Sequence, residues 1–382
     1  MRVLAFAACH SGAVNASARS ITPYRKAAHW GRYPLIAIAR SLLILLALLG
    51  SHFSVAGSAA EENPATGWGP LDLGSGIVAP GSKLKLTFES KRSFESTFLD
   101  SALWAAQGTT EGPTLCVVAG IHGDEINSFE IARRAFKAID PQQLQGTMIV
   151  VPAANALGFR TMDRYMIDRR DLNRAFPGSV AGSVASIVAN AIFERVVRRC
   201  DYLIDLHTGS NFRTNMPQIR VDMADAKSLE LARSFGVGVI IDGAGPSGSL
   251  RREAVKAGVA AIIYESGPPY VFVEREIANG TRGILNVMDH LGMQATPGER
   301  SKAQVLVRSG WIRVPRGEGG IFLPTVMLGD RVAVGDLLGT VTDPVTDVAH
   351  EIRADRAGIV IGAALPAVVL SGYGIFHIGE LE

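Results

Sequence analysis

Two spacings of apolar residues divide the chain. In "KLKLTFES" (83–90) apolar and polar residues alternate, the two-residue period of a strand with one wet face. From residue 115 onward, short unbroken apolar runs take over. "LCVVAG" (115–120), "GTMIVVPAAN" (146–155), "CDYLIDLHTG" (200–209), "GVGVIID" (236–242) and "AAIIYESG" (260–267) read as strands. Runs of this kind suit strands buried on both faces. Between them lie stretches of helical spacing. "DEINSFEIARRAFKAI" (124–139) places Ile126, Phe129, Ile131, Phe136 and Ile139 loosely on one face. Residues 183–199, "DAKSLELARSFGV" (225–237), "LRREAVKAGV" (250–259) and 275–292 read as further helices, the last capped by Gly292.

Strands alternating with helices predict an α/β fold: a mixed, mainly parallel sheet sandwiched by helices. Such sheets hold ligands beyond the carboxyl ends of their strands. His122, His207 and Glu265 all fall at or just after such an end. After "QATPGER" (294–300) no long helix follows, only short strands punctuated by Gly, Asp and Pro, which predict a small C-terminal all-β module. The expected division is therefore a leader over 1–60, a catalytic domain over 61–293 and a β module over 299–382.

Composition sharpens this picture in two places. The net charge is +2, yet residues 1–60 hold six basic residues and no Asp or Glu, leaving 32 basic against 36 acidic residues in the remainder. No nucleic-acid surface is expected from that balance. The basic leader, with "SLLILLALLG" (41–50) followed by small residues, predicts a signal peptide cleaved after Gly57, Ala59 or Ala60. Its alternative is an uncleaved N-terminal anchor in the inner membrane. Either way the protein is expected to be exported, periplasmic or secreted, and to meet a membrane only if the leader stays uncleaved. Its length also allows a true start later than Met1. Cys116 and Cys200 sit in strand-like runs and are expected as buried free thiols; one disulfide is the alternative.

Chemistry concentrates in four short stretches. His122 and Glu125 lie three apart at a strand-to-helix turn, a spacing that points both side chains the same way. Gly123 between them is expected to let the backbone pass close to a ligand. His207 follows another strand, and two His with one carboxylate form a common ligand set for catalytic zinc, although iron and other metals fit it too. Asp205 is expected to steady a ligand His or to cap a helix. Glu265 ends a buried strand, where a carboxylate beside a metal serves as general base and then acid. "RYMIDRRDLNRAFPGS" (164–179) with Arg160 gathers five arginines around Asp171 and Asn173, a group suited to carboxylate binding.

"GIHGDE", "DLNRAFPG", "DLHTG" and "YESG", in that order over about 113–380, resemble the succinylglutamate desuccinylase/aspartoacylase family, which belongs with zinc carboxypeptidase-like enzymes. The resemblance implies one zinc ion per chain on His122, Glu125 and His207, Glu265 as the catalytic glutamate, and Asn173 with Arg174 as the substrate-carboxylate pair. Arg164 looks like the arginine that polarises the carbonyl. The spacing from Arg164 to Asp171 departs from the aspartoacylase pattern by two residues, leaving Arg169 or Arg170 as alternatives. Arg251 and Arg252 are further specificity candidates. "GDRVAVGDLLGTV" (329–341) resembles the biotinyl/lipoyl-like module of that family without a Met-Lys attachment site, so it is read as a structural cover.

The implied reaction is hydrolysis of an amide bond in an N-acyl amino acid or small peptide bearing a carboxylate. Water activated by zinc attacks the carbonyl, and Glu265 moves the proton to the leaving amine. The alternatives are a non-catalytic metal- or ligand-binding module on the same scaffold, or an exported metallocarboxypeptidase.

Overall fold

The structure, a computed structural model, describes residues 68–88, 100–236, 238–296 and 304–381. The leader expected over 1–60 lies outside the described residues, as does most of the linker after Thr296. Among the described residues no helix is long and apolar enough to cross a membrane.

A short hairpin of β1 (Leu71–Asp72) and β2 (Ile77–Val78) leads to β3 (Ser82–Phe88), which pairs antiparallel with β4 (Ser101–Gln107). Next come β5 (Thr110–Ala119), helix α1 (Ile126–Ala138) and β6 (Gln145–Val151). Helix α2 (Ala156–Thr161), a single helical turn at Leu172–Arg174 and α3 (Val184–Arg195) follow. Strands β7 (Tyr202–His207) and β8 (Arg213–Val221) precede α4 (Ala226–Phe235), β9 (Val239–Asp242) and α5 (Leu250–Lys256). Strand β10 (Ala260–Gly267) and α6 (Glu274–His290) complete the α/β part.

The remaining strands are β11 (Gln304–Arg313), β12 (Gly320–Pro324), β13 (Arg331–Val332), β14 (Leu337–Thr342), β15 (Ala349–Arg353), β16 (Gly358–Ala364), β17 (Val368–Val369) and β18 (Gly374–Leu381). Strands β15, β14, β12 and β17 make a sheet of their own around Phe322, Leu338 and Val341. The others join the large sheet, whose twelve strands run β13-β16-β18-β11-β9-β8-β10-β7-β5-β6-β4-β3. β11 pairs in parallel with β9, and β16 returns to pair with β8, so β8, β9, β11, β18 and β16 close a ring.

The centre of the sheet is parallel, with β6, β5, β7 and β10 side by side, and antiparallel pairs flank it. Both of its faces are buried. Leu115, Val117 and Ala119 of β5 face the layer of α1, α4 and α6, while Cys116 and Val118 face that of α3 and α5. On β7 and β10 the same alternation sends Ile204, Leu206, Ile262 and Tyr264 to the first layer. Asp205, His207, Ile263 and Glu265 are then left on the opposite face at the strands' carboxyl ends. Each fully buried Val, Leu or Ile contributes roughly 1.5–3 kcal/mol. A one-residue slip of β7 would forfeit that and turn both functional side chains into the apolar layer.

Cys116 and Cys200 form a disulfide, their Cα atoms 5.8 Å apart, which corrects the expectation of two free thiols. Neighbouring β5 and β7 run in parallel register with Cys116 beside Leu203, so cysteines 84 residues apart meet.

Candidate active site

The chain turns sharply after β5 and enters α1, and that turn carries His122, Gly123, Asp124 and Glu125. Glu125 occupies the N-cap position of α1 but makes no side-chain cap bond. Its carboxylate is directed at two imidazoles instead. Nδ1 of His122 lies 2.7 Å from Oε1 and Nδ1 of His207 lies 2.8 Å from Oε2, while the Thr208 amide donates to Oε2 at 2.9 Å. All three side chains are buried, and their candidate ligand atoms lie within 4.8 Å of one another.

The other nitrogen of each imidazole meets a second carboxylate. Nε2 of His122 lies 3.1 Å from Asp171 Oδ1, and Nε2 of His207 lies 3.0 Å from Asp205 Oδ1. Asp205 is thus beside the ligand His, as one of its two expected placements required. Metal-binding histidines characteristically have such outer partners. Burial alone would lower the His207 pKa, but Asp205 and Glu125 raise it well above the ordinary value; His122 is raised in the same way by Glu125 and Asp171. Burial opposes ionisation of Glu125, yet the two imidazoles hold its carboxyl well below the usual range. Exchange of two imidazole protons for one dication leaves the charge of this cluster unchanged. Two imidazoles and a carboxylate with outer carboxylates in place therefore fit a divalent metal, and zinc is the commonest ion on such a donor set.

Arg164 sits against the same cluster. Its Nη2 donates to Asp171 Oδ2 at 2.8 Å and its Nη1 to Ser210 Oγ at 2.6 Å, with Glu125 Oε1 3.6 Å away. Of the two alternatives for its role, Arg170 pairs with Asp168 and Arg169 is exposed; neither lines the pocket. Arg160 is exposed and also outside it. Asn173 is buried beside the cluster, its Nδ2 3.3 Å from His207 Nε2, and its Oδ1 accepts the Leu250 amide at 2.8 Å. Both ends of that amide are thus engaged. Arg174 lies on the pocket wall and donates to the Asn173 carbonyl at 2.6 Å.

Glu265 is the direct neighbour of His207 across the β7–β10 pair. Asn215 and Arg220, both on β8, donate to its Oε2 at 2.6 and 3.0 Å. These holders were missed at the sequence level, because 213–221 shows no clear alternation and contains Pro217. That proline sits where the β8–β10 register shifts, a bulge that tolerates a missing N–H. Arg251 lines the pocket as well, whereas Arg252 donates to the Gly245 carbonyl and is not among the lining residues.

The cavity in front of the cluster has a volume of about 360 Å³. Trp311 of β11 forms part of its wall, so the C-terminal segment reaches the site. Arg213 lies between Trp311 and Tyr373, its guanidinium 4.9 and 4.5 Å from the two rings. Gly123, for its part, faces the backbone of α2: a Cβ there would lie 2.0 Å from the Gly158 carbonyl carbon. Its described contact is packing on a neighbouring helix, which differs from the expected role beside a ligand.

Comparison with known proteins gives matches in both sequence and fold. A sequence model of the succinylglutamate desuccinylase/aspartoacylase catalytic domain matches residues 111–291. The N-alpha-acetyl-L-2,4-diaminobutyric acid deacetylase of Halomonas elongata is 28% identical over 291 residues, covering 71% of this chain and 83% of its own length. Two solved structures share the fold. A succinylglutamate desuccinylase/aspartoacylase from Rhodobacter sphaeroides superposes with a TM-score of 0.71 at 23% identity, over 79% of this chain and 96% of that one. The product-bound ectoine utilization protein EutE (DoeB) from Ruegeria pomeroyi gives 0.71 at 24% identity, over 78% and 95%. The fold is therefore that of these two structures, and residues 111–291 are similar to the catalytic domain of the succinylglutamate desuccinylase/aspartoacylase family.

Proposed function

We propose that this protein is a zinc-dependent amide hydrolase that removes an acyl group from an N-acyl amino acid. The observation that carries this reading is the cluster itself. The Nδ1 atoms of His122 and His207 converge on Glu125, each outer nitrogen meets a carboxylate, and Glu265 stands beside His207. The family and the Halomonas relative, named as a deacetylase, support the same reaction class.

His122, Glu125 and His207 would hold the metal, which supplies a Lewis acid that makes a hydrolytic water nucleophilic near neutral pH. Glu265 takes the proton of that water and delivers it to the leaving amine. Asn215 and Arg220 fix its carboxylate by bonds to one oxygen. Arg164, clamped by Asp171 and Ser210, turns a guanidinium toward the carbonyl oxygen as charge develops there. Arg174 binds the substrate carboxylate. Asn173 supports it from the rear, since its own amide is already tied to Leu250 and turned to His207.

We propose further that the protein is exported. A disulfide suits an oxidising compartment, and the basic, apolar leader suits a signal peptide or an anchor. Cell fractionation with N-terminal sequencing of the recovered protein tests this, and an intact cytoplasmic chain would overturn it.

The activity is tested on the purified, zinc-supplied protein with N-acyl amino acids, N-acetyl-2,4-diaminobutyrate among them, and short peptides. We expect His122→Ala to lose the metal. Glu265→Gln should keep it and lose turnover by on the order of 100-fold or more. Metal retained with no turnover on any substrate would instead identify a binding protein. Turnover confined to peptides would identify a carboxypeptidase.

A further inference from the structure

The cavity and its mouth differ in character. Inside, only Pro246, Ile263 and Trp311 give the wall a sizeable apolar surface, and the rest of the lining is charged, polar or glycine. At the mouth, two loops expose apolar side chains. Phe212 stands between the lining residues Asn211 and Arg213, yet it is 54% exposed. Its ring lies 5.4 Å from that of Tyr270, centroid to centroid. Val271 and Phe272 follow Tyr270 and are exposed, as is Leu365, whose amide donates to the Phe212 carbonyl at 2.8 Å. Single apolar residues on a surface need no explanation, but an adjoining group beside a pocket marks an interaction site.

Holding this group together is unfavourable for the backbone. Asn211, Phe212 and Tyr270 have φ of 54°, 57° and 66°, in the left-handed region that bulky side chains rarely enter. Hydrogen bonds keep them there. Tyr373 Oη donates to the Asn211 carbonyl at 2.6 Å, and the Tyr270 amide donates to the Asp124 carbonyl at 2.9 Å. Asn127 of α1 grips the second loop at both ends: its Oδ1 accepts the Val273 amide at 2.9 Å, and its Nδ2 donates to the Pro268 carbonyl at 3.4 Å. Residues held against their backbone preference cluster at ligand clamps.

The rim also lies at a defined end of the site. Arg174, which binds the substrate carboxylate in the mechanism above, donates to the carbonyl of Asn173, and Asn173 is tied to the Leu250 amide of α5. Arg164, which meets the scissile carbonyl, is tied elsewhere. Its Nη1 donates to Ser210 Oγ, two residues before Phe212. Ser210 Oγ donates in turn to Asp124 Oδ2 at 3.2 Å, and Asp124 is the residue whose carbonyl holds the Tyr270 amide. A substrate lying from Arg174 to Arg164 therefore sends whatever follows its acyl carbonyl toward Phe212 and Tyr270. We infer that this rim binds the tail of an aliphatic acyl group, so that the preferred substrates carry a chain much longer than acetyl. The inference rests on the deacylase reading above and deepens it. The polar interior offers such a chain no comparable apolar wall.

The test compares N-acetyl with N-octanoyl derivatives of L-alanine, L-glutamate and L-2,4-diaminobutyrate on the zinc-supplied protein, each below its aggregation concentration. Wherever turnover is seen, kcat/KM should favour octanoyl by on the order of 100-fold, each partly buried methylene contributing about twofold. Phe212→Ala should cut that ratio about tenfold, and so should Tyr270→Ala. Both substrates are read on the same variant, so a general loss of activity cancels. If Phe212→Ala does not fold, Phe212→Gly, which suits the left-handed backbone, takes its place. A wild-type ratio near one, or a ratio that survives both substitutions, overturns the proposal. A ratio near one together with flotation on phosphatidylcholine–phosphatidylglycerol vesicles would assign the rim to a lipid surface instead. If no derivative is hydrolysed, the deacylase reading fails, and the same pairs are titrated calorimetrically as ligands. Tighter binding of the octanoyl compound, weakened in Phe212→Ala, retains the rim as an apolar subsite, and equal binding removes it.

Discussion

Asp171 and Asp205 decide how the two histidines behave. Each carboxylate faces an outer imidazole nitrogen, and together with Glu125 they favour the protonated ring. The metal-free fold therefore has His pKa values raised above the unfolded value of about 6.5. Their stabilising effect is fully present below that value and is lost as pH rises through the folded ones. Metal binding needs both rings neutral at Nδ1, so it competes with these protons. We predict that zinc affinity rises with pH above about 6.5 and that uptake releases protons. Calorimetry in two buffers of different ionisation enthalpy measures the release directly, and a buffer-independent enthalpy would contradict it. The role of Asp171 was not legible in the sequence. It stood in a run of arginines, and its nearness to His122 arises only when the 164–174 loop folds over the α1 turn.

At the scale of elements, the turn between β5 and α1 is held by close packing. Gly123 abuts the Gly158 backbone, and its amide donates to the Asp163 carbonyl at 3.0 Å. We predict that Gly123→Ala shifts the whole turn and lowers metal content together with activity, readable by elemental analysis of the purified variant. Retention of full zinc stoichiometry would show that the turn absorbs the methyl group. The disulfide ties the strands that lead to His122 and His207. For an 84-residue loop the chain-entropy estimate of its stabilisation is about 4.5 kcal/mol. Cys200→Ser should therefore lower the unfolding free energy by several kcal/mol, checked by urea titration without reductant.

The strands with unbroken apolar runs were legible because burial on both faces demands such runs, and β10 falls at 260–267 as expected. β8 was not. It carries Arg213, Asn215 and Arg220 among its polar side chains and a proline, so it lacks an apolar signature. Those three side chains line the pocket, and their polarity hides the strand from hydrophobic pattern. Cys116 and Cys200 were ambiguous for a related reason: strand order, which makes β5 and β7 neighbours, is a long-range property that spacing does not encode.

At the scale of the whole molecule, the site is assembled from both ends of the described chain. His122 and Glu125 come from its first third, and Trp311 lines the pocket from the C-terminal strands. Trp311 stacks on His377, with ring centroids 4.8 Å apart, and also supports Arg213. We predict that Trp311→Ala raises KM without reducing bound zinc, checked by steady-state kinetics alongside metal analysis. A loss of metal would mean that the C-terminal strands support the cluster itself.

The return of β16 to β8 has a consequence for how the protein comes to life. Gly362 lies opposite Asn215, so near that a Cβ there would touch its side-chain oxygen, and Asn215 in turn holds Glu265. A polypeptide that ends before residue 362 thus lacks this backing for Asn215 and, through it, for Glu265, even with every proposed metal ligand already synthesised.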